Sequence, residues 1–445
     1  VEFTAKAGGA LQGMFRVPGD KSISHRSVMF GSLAQGVTEV SGCLEGDDVI
    51  ATMNAFRAMG VTIEGPVDGR LTVHGVGLHG LKAPLQPLYL GNSGTSMRLL
   101  AGLMAGQDFA VTLTGDSSLS KRPMERVAKP LRQMGADIRT QAGGCPPIEI
   151  AASPGINALK AIHYDMPVAS AQVKSCVLLA GLYADGNTST TEPAPTRDHT
   201  ERMLKGFGVD VGVQGPTATV SSGGALTGRS IDVPADISSA AFFMVAASIA
   251  PGSDITLNHV GINPTRTGVI NILLQMGADI TLSDEREIGG EPVADIRVRS
   301  AQLHGIHIPE DQVPLAIDEF PVLFVAAACA TGTTVLTGAE ELRVKESDRI
   351  QAMVDGLSAM GIAIEGTSDG AIIQGLVADA AVDQAVFTSA KVASHDDHRI
   401  AMAFSIAALR ASGDIVIEEC DNVATSFPNF VELCNSAGMT IEVLA

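Results

Sequence analysis

Basic residues are scarce in this sequence: 30 Lys and Arg stand against 49 Asp and Glu, a formal net charge of −19. A nucleic-acid partner needs a basic footprint to meet its phosphates, so that class is excluded. The same acidity opposes long-range attraction of anionic small molecules, so any anion site must be local and strongly basic. Long apolar runs are missing too. The longest, around residues 240–250 and 321–330, fall short of the roughly 18 that would suggest a membrane span. No apolar block follows Lys6 in the manner of a signal peptide. Nor is there a C-x-x-C pair among the six cysteines, at positions 43, 145, 176, 329, 420 and 434. Free, mostly buried thiols in a reducing cytoplasm are expected, rather than disulfides or zinc.

What is present is repetition. The 445 residues exceed one ordinary domain, and one short signature recurs along them. It reads A-M-G-V-T-I around Gly60, Q-M-G-A-D-I around Gly135 and Gly277, and G-F-G-V-D-V around Gly208. Variants follow around Gly361 and Gly438, and the glycine spacings are 75, 73, 69, 84 and 77. Each copy predicts an amphipathic helix, a glycine stop and an alternating strand. A second recurrence lies about forty residues before each glycine, near Ser22, Gly94, Ser170, Ser238, Asp318 and Asp397, where a strand-like run meets a helix of small residues. Six α/β units are too many for one core, so two domains of three are expected. V-P-G-D-K-S (17–22) is echoed by V-P-A-D-I-S (233–238), and crossovers there predict one domain of residues 1–20 plus 239–445 and another of 21–238. The cleft between them is the expected active site.

Helix N-termini offer free N–H groups and a positive dipole end, worth about 0.3–1 kcal/mol each at exposed sites, so convergent ends still need cations to hold phosphate or carboxylate. The cations stand there. G-D-K-S-I-S-H-R supplies Lys21 and Ser22 for phosphate and Arg26 as a planar fork. G-N-S-G-T-S-M-R places Asn92 and Gly94 where backbone must approach a ligand. K-R-P-M adds Arg122, P-V-A-S-A-Q-V-K-S adds Ser170, the Ala171 N–H and Gln172, and T-R-D-H-T-E adds Arg197. In the other half, Asp318 stands at a helix start, to cap it or act as a base. R-V-K-E-S-D-R is read as one helical turn bringing Lys345, Glu346, Asp348 and Arg349 together, with Glu346 and Arg349 on one face. D-D-H-R contributes His398 and Arg399. Taken singly, each segment also reads as an ordinary solvated or Gly-rich turn; their placement at unit boundaries favours a site.

Three lookalikes are set aside. G-V-G-L-H-G (75–80) lacks the helix that a dinucleotide fingerprint requires after it. H-D-D-H (395–398) crowds its ligands into one run followed by arginine. Cys145 has no base near it in sequence and reads as a packed loop residue.

Taken in order, P-G-D-K-S-I-S-H-R, G-N-S-G-T, K-R-P-M, S-A-Q-V-K-S, R-V-K-E-S-D-R and D-H-R-I-A-M resemble the 5-enolpyruvylshikimate-3-phosphate synthases, over residues 12–440. The resemblance implies a two-domain inside-out α/β barrel, each domain holding three βαβαββ-type repeats about a pseudo-threefold axis. It implies transfer of the enolpyruvyl group of phosphoenolpyruvate to shikimate 3-phosphate, by addition and elimination, with no metal or organic cofactor. By the family's pattern Ser22, Arg26, Ser170, Ala171 and Arg197 hold shikimate 3-phosphate. Lys21, Gly94, Arg122, Gln172, Arg349 and Arg399 hold phosphoenolpyruvate. Asp318 and Lys21 are candidates to take the hydroxyl proton, Glu346 to handle the carbon proton, and His398 to orient Glu346. A monomer without membrane or nucleic-acid partners is expected.

One departure is Thr425, where many members carry a lysine that serves the phosphoenolpyruvate site. Gly94 stands where some herbicide-tolerant members carry alanine, so glyphosate is expected to fit the phosphoenolpyruvate pocket. The sister enzyme acting on UDP-N-acetylglucosamine is the nearest rival. It typically has Asn at the Ser22 position and a reactive Cys before an R-P pair, neither of which is found here. A non-catalytic anion receptor would have no need of Asp318, Glu346 and Lys21 as acid/base groups. A related RNA-end-processing enzyme conflicts with the acidic charge.

Overall fold

A computed structural model describes residues 1–444 and divides them into two compact units. The first unit takes Val1–Pro18, Pro234–Glu287 and the residues from Glu291 onward; the second takes Gly19–Val233 with Ile288–Gly290. The crossovers thus fall at 18/19 and 233/234, a few residues before those read from the sequence. The grouping of residues 288–290 with the second unit has no counterpart in the repeat pattern.

Helices of the second unit are α1 (Lys21–Leu33), α2 (Asp47–Ala58), α3 (Gly94–Met104), α4 (Glu125–Gln133), α5 (Ala171–Gly181) and α6 (His199–Gly206). Those of the first are α7 (Ile237–Ile249), α8 (Gly268–Gln275), α9 (Phe320–Cys329), α10 (Arg349–Ala359), α11 (His398–Ala407) and α12 (Phe430–Ala437). The odd-numbered helix opens each repeat and is the buried one. Every residue of α7 and of α9 is buried, as expected of helices apolar on all sides. The even-numbered helices bury one face only, and each ends at one of the six signature glycines. All six glycines are left-handed, with φ between +87° and +118°. That conformation stops the helix and turns the chain into the next strand at no Cβ cost. The recurrence is therefore a backbone requirement met six times.

Each repeat also builds a small sheet. In the second unit, residues 88–89, 111–114, 148–150 and 138–139 lie side by side in that order. The first two strands are parallel and the rest antiparallel. Residues 163–165, 188–191, 217–220 and 211–214 repeat the scheme. Elsewhere a strand is borrowed from far along the chain. Residues 230–232, at the end of the second unit, lie parallel to residues 39–41 of its first repeat. The strand Gln12–Phe15 opens the α7 repeat, parallel to residues 254–257. The strand Glu2–Ala5 sits inside the last sheet, between Ile415–Glu418 and Ile441–Leu444.

Two separate hydrophobic cores result, one per unit. The six cysteines are free; five are buried and Cys145 is partly exposed. Burial pushes the thiols of Cys43 and Cys329 up to about 12, which makes them inert core residues. No helix among the described residues is long and apolar enough to cross a membrane.

Candidate active site

In the second unit, cations gather at helix entrances because local caps hold each entrance open. The Asp20 carboxylate accepts the Ile23 N–H at 2.8 Å and starts α1. Lys21 follows, its ammonium ion-paired with Asp48 in the first turn of α2. One turn on, Arg26 is buried. Its Nε donates to Thr200 Oγ1 at 2.8 Å, and its two terminal nitrogens donate to Ser175 Oγ and the Ser22 carbonyl, each at 2.9 Å. This guanidinium ties α1 to the first turns of α5 and α6.

Ser93 caps α3 by accepting the Ser96 N–H. Just before it, the Asn92 side-chain amide donates to Asp116 at 2.9 Å, and the Asn92 backbone carbonyl accepts from Arg122 at 3.3 Å. The Arg122 guanidinium lies so close to Gly94 that an added Cβ would fall 2.8 Å from its central carbon. Gly94 is thus the residue that admits Arg122 to this helix start. On α5, Ser170 accepts the Val173 N–H and Ala171 is the first helical residue, whose N–H the helix itself does not use. Gln172 is held from both sides: Arg98 donates to its Oε1, and its Nε2 donates to Thr95 Oγ1 at 2.9 Å. Arg197 stands half-buried in the loop before α6.

Below these entrances lies a wholly buried polar chain. His25 Nδ1 and Thr52 Oγ1 are 2.8 Å apart, Thr52 and Ser96 hydroxyls 2.6 Å, and Ser96 and Ser93 hydroxyls 2.6 Å. Burial, then the charges of Lys21 and Arg26, hold the His25 pKa well below its usual value, so the ring is neutral.

The first unit is organised around one arginine. Arg349 is only 1% exposed and reaches three carboxylates: Asp318 at 3.1 Å, Glu346 at 2.7 Å and Asp397 at 2.8 Å. Burial disfavours its charge, but Asp397, Glu346 and Asp318 outweigh that and push its pKa up. Asp397 is likewise opposed by burial and held low by Arg349. Asp397 also caps α11, accepting the Arg399 N–H at 3.0 Å, and takes the Ser347 hydroxyl at 2.9 Å. Lys345 adds an ion pair to Asp318 at 3.3 Å. The Arg399 side chain, half-buried at the same helix start, has no hydrogen bond or ion pair among the described residues. His398 is buried in the first turn of α11. The remaining entrance, at α7, is filled by side chains of neighbouring segments: Arg266 meets Asp236 at 3.2 Å and Ser238 at 2.7 Å, and Ser238 donates to Glu319.

Two local expectations change. Lys345–Asp348 is a bend that precedes α10, not a helical turn. Glu346 still meets Arg349 because the bend curls back over the helix start. Asp318 does not cap α9, whose N-cap is Glu319, and its carboxylate faces Lys345 and Arg349 instead. Pro123 lies just before α4, which begins at Glu125. Sequence reasoning also passed over Asp48, Arg98 and Asp397 as supports. Arg98 ends the G-N-S-G-T-S-M-R motif and Asp397 sits in N-cap position, so both carried a local signal; Asp48 carried none. Thr425 is buried and donates to the Asn422 carbonyl at 2.6 Å, so no cation stands at that position. Among the described residues, no group of three or more His, Cys, Asp or Glu is arranged to hold a metal ion.

The family model described as EPSP synthase (3-phosphoshikimate 1-carboxyvinyltransferase) matches residues 5–433. A 3-phosphoshikimate 1-carboxyvinyltransferase of Methylococcus capsulatus is 66% identical, over 100% of this chain and 99% of the relative. One from Alkalilimnicola ehrlichii is 63% identical, over 99% and 96%. The solved EPSP synthase from Acinetobacter baumannii superposes with a TM-score of 0.89 at 61% identity, covering 100% of both chains. The enolpyruvyl transferase NikO from Streptomyces tendae shares the fold, with a TM-score of 0.78 at 17% identity over 99% and 98%.

Proposed function

Because this chain belongs to the EPSP synthase family, and so transfers the enolpyruvyl group of phosphoenolpyruvate to the 5-hydroxyl of shikimate 3-phosphate, we propose how its residues share that work. Ser22, Arg26, Ser170, Ala171 and Arg197 hold shikimate 3-phosphate. Lys21, Gly94, Arg122, Gln172, Arg349 and Arg399 hold phosphoenolpyruvate, with Asn92 steadying Arg122. The two sets, drawn from both units, serve one reaction.

The chemistry needs a base for the hydroxyl, an acid for the methylene carbon, and cations for phosphate and carboxylate. Asp318 or Lys21 takes the hydroxyl proton as the oxygen bonds to carbon 2 of phosphoenolpyruvate. Glu346 gives a proton to carbon 3, forming a methyl group and a tetrahedral centre. Glu346 then recovers a proton from that methyl as the bond from carbon 2 to the phosphate oxygen breaks, and phosphate leaves. The observation that carries this reading is Arg349 holding Asp318 and Glu346 at once. One buried cation thereby fixes the distance between base and acid. Of its five N–H donors, four are engaged by carboxylates. Arg399 therefore presents the larger share of cation to the ligand.

Phosphate release, followed with each substrate alone and with both, tests the function. Release is expected only with both present; release from phosphoenolpyruvate alone, or none, overturns the reading. Glyphosate is proposed to compete with phosphoenolpyruvate, and an inhibition pattern without competition counts against that. The free thiols support a reducing cytoplasm. Because each unit buries its own core, a monomer is proposed; a dimer mass in sedimentation would overturn it.

A further inference from the structure

Lys174 lies in the first turns of α5, four residues after its cap Ser170, and is only 2% exposed. A cation there opposes the positive end of the helix dipole, and its burial costs solvation. Two carboxylates offset this: Glu201 at 2.9 Å, in the first turn of α6, and Glu192 at 3.2 Å, at the end of the strand Thr188–Thr191. Glu192 and Glu201 are the two feet of the loop that carries Arg197. Between the feet, Pro193 and Pro195 restrict the backbone. The Thr196 hydroxyl, on the residue before Arg197, donates to the same Glu192 oxygen that meets Lys174. A second buried link, Ser175 to Thr200 at 2.7 Å, binds the adjacent residues of α5 and α6.

We propose that Lys174 is a positioning residue for shikimate 3-phosphate: its ammonium clamps both feet of the Glu192–Glu201 loop to α5. The clamp sets Arg197 at a fixed place relative to Ser170, Ala171 and Gln172. This rests on the reading of Arg197 as a shikimate 3-phosphate ligand. A buried ion pair is poor evidence of added stability and better suited to fixing one geometry. Here the fixed geometry is that of two anion-holding segments which no backbone ladder joins directly.

The test compares Lys174→Met, Lys174→Arg, Arg197→Met and the double variant K174M/R197M in the full-length enzyme. K174M is expected to raise KM for shikimate 3-phosphate about tenfold, with KM for phosphoenolpyruvate and kcat within about twofold. K174R should recover most of the loss, because it keeps the charge. The double variant should be no worse than R197M alone, since positioning has no value once the arginine is gone. Should K174M fail to fold, Glu192→Gln serves: it keeps an acceptor for Thr196 and should shift the same KM in the same direction by less. An unchanged KM for shikimate 3-phosphate in K174M, or in E192Q where that replaces it, overturns the proposal while leaving the site intact, provided R197M raises that KM. An unchanged KM in R197M overturns the proposal together with the reading beneath it.

Discussion

The two units repeat one framework and fill it differently. In the second, buried helices carry polar side chains deep into the core: Ser24, His25, Arg26 and Ser27 on α1, Ser96 and Arg98 on α3, Lys174 and Ser175 on α5. In the first, α7 and α9 are built mainly of Ile, Phe, Val and Ala. Its charged chemistry is crowded onto the segments that enter the helices, around Arg349. A polar network runs down the helices of the second unit, and the proposed site would draw many weak holds on an anion from it. A single arginine among carboxylates holds Asp318 and Glu346, the proposed acid/base pair, in the first unit. On the proposed assignment of site residues, the same fold supports a grip in one unit and a reaction centre in the other.

Removing Arg349 should break this contrast most severely. Arg349→Met leaves three carboxylates without their shared cation, and a loss of about 3–5 kcal/mol in denaturant unfolding is expected, along with turnover. Hydrogen exchange should rise first in α9–α11; an equal rise in α1–α6 would mean that the two units do not have independent networks. Next comes Glu346→Gln, which should cut kcat about 10²–10⁴-fold while shikimate 3-phosphate still binds. Loss of that binding by titration would erase the division between grip and reaction. Smaller still is Gly94→Ala. The new Cβ must push the Arg122 guanidinium aside, at a cost of about 1 kcal/mol or slightly more. KM for phosphoenolpyruvate should rise about five- to tenfold with kcat little changed, and glyphosate should inhibit less.

The finest distinction is in acid. His25 is neutral in the folded second unit but takes up a proton near its ordinary pKa of about 6.5 when unfolded. Below that pH the unfolded chain binds more protons, so stability contributed by the buried ring is full above about 6.5 and lost as pH falls. Asp397, with its pKa lowered, loses its contribution only when pH falls below about 4. Protection of α1 amides, corrected for intrinsic rates, should therefore weaken between about pH 6.5 and 5 while α11 holds. His25→Gln should remove that early onset; an unchanged profile would assign it to other groups.

What could be read in advance follows from how local each requirement is. The six glycines were legible because a left-handed helix stop is decided within a few residues. Helix entrances at Lys21, Gly94, Ala171 and His398 were legible because caps are short-range. Glu346 and Arg349 were paired for an incomplete reason: their spacing was right, but a bend rather than a helical face joins them. Partners distant in sequence left no trace. Arg349 and Asp397 lie 48 residues apart, and Arg26 and Thr200 lie 174 apart. Such pairs follow from the order of strands in the sheets, which no local pattern encodes. The strand Glu2–Ala5 is the extreme case: it pairs with Ile441–Leu444 and Ile415–Glu418, with nothing nearby to announce it.

That strand has a consequence for how the chain matures on the ribosome. The second unit has almost all its residues once position 233 has emerged, and its core and sheets can close while synthesis continues. The first unit cannot. Its strand Glu2–Ala5 must wait, unpaired, for partners made more than 400 residues later, and the loop closed between them is correspondingly long. The second unit can therefore be finished while the first is still incomplete. The residues proposed to grip the substrate are thus in place before the arginine-centred cluster has been made.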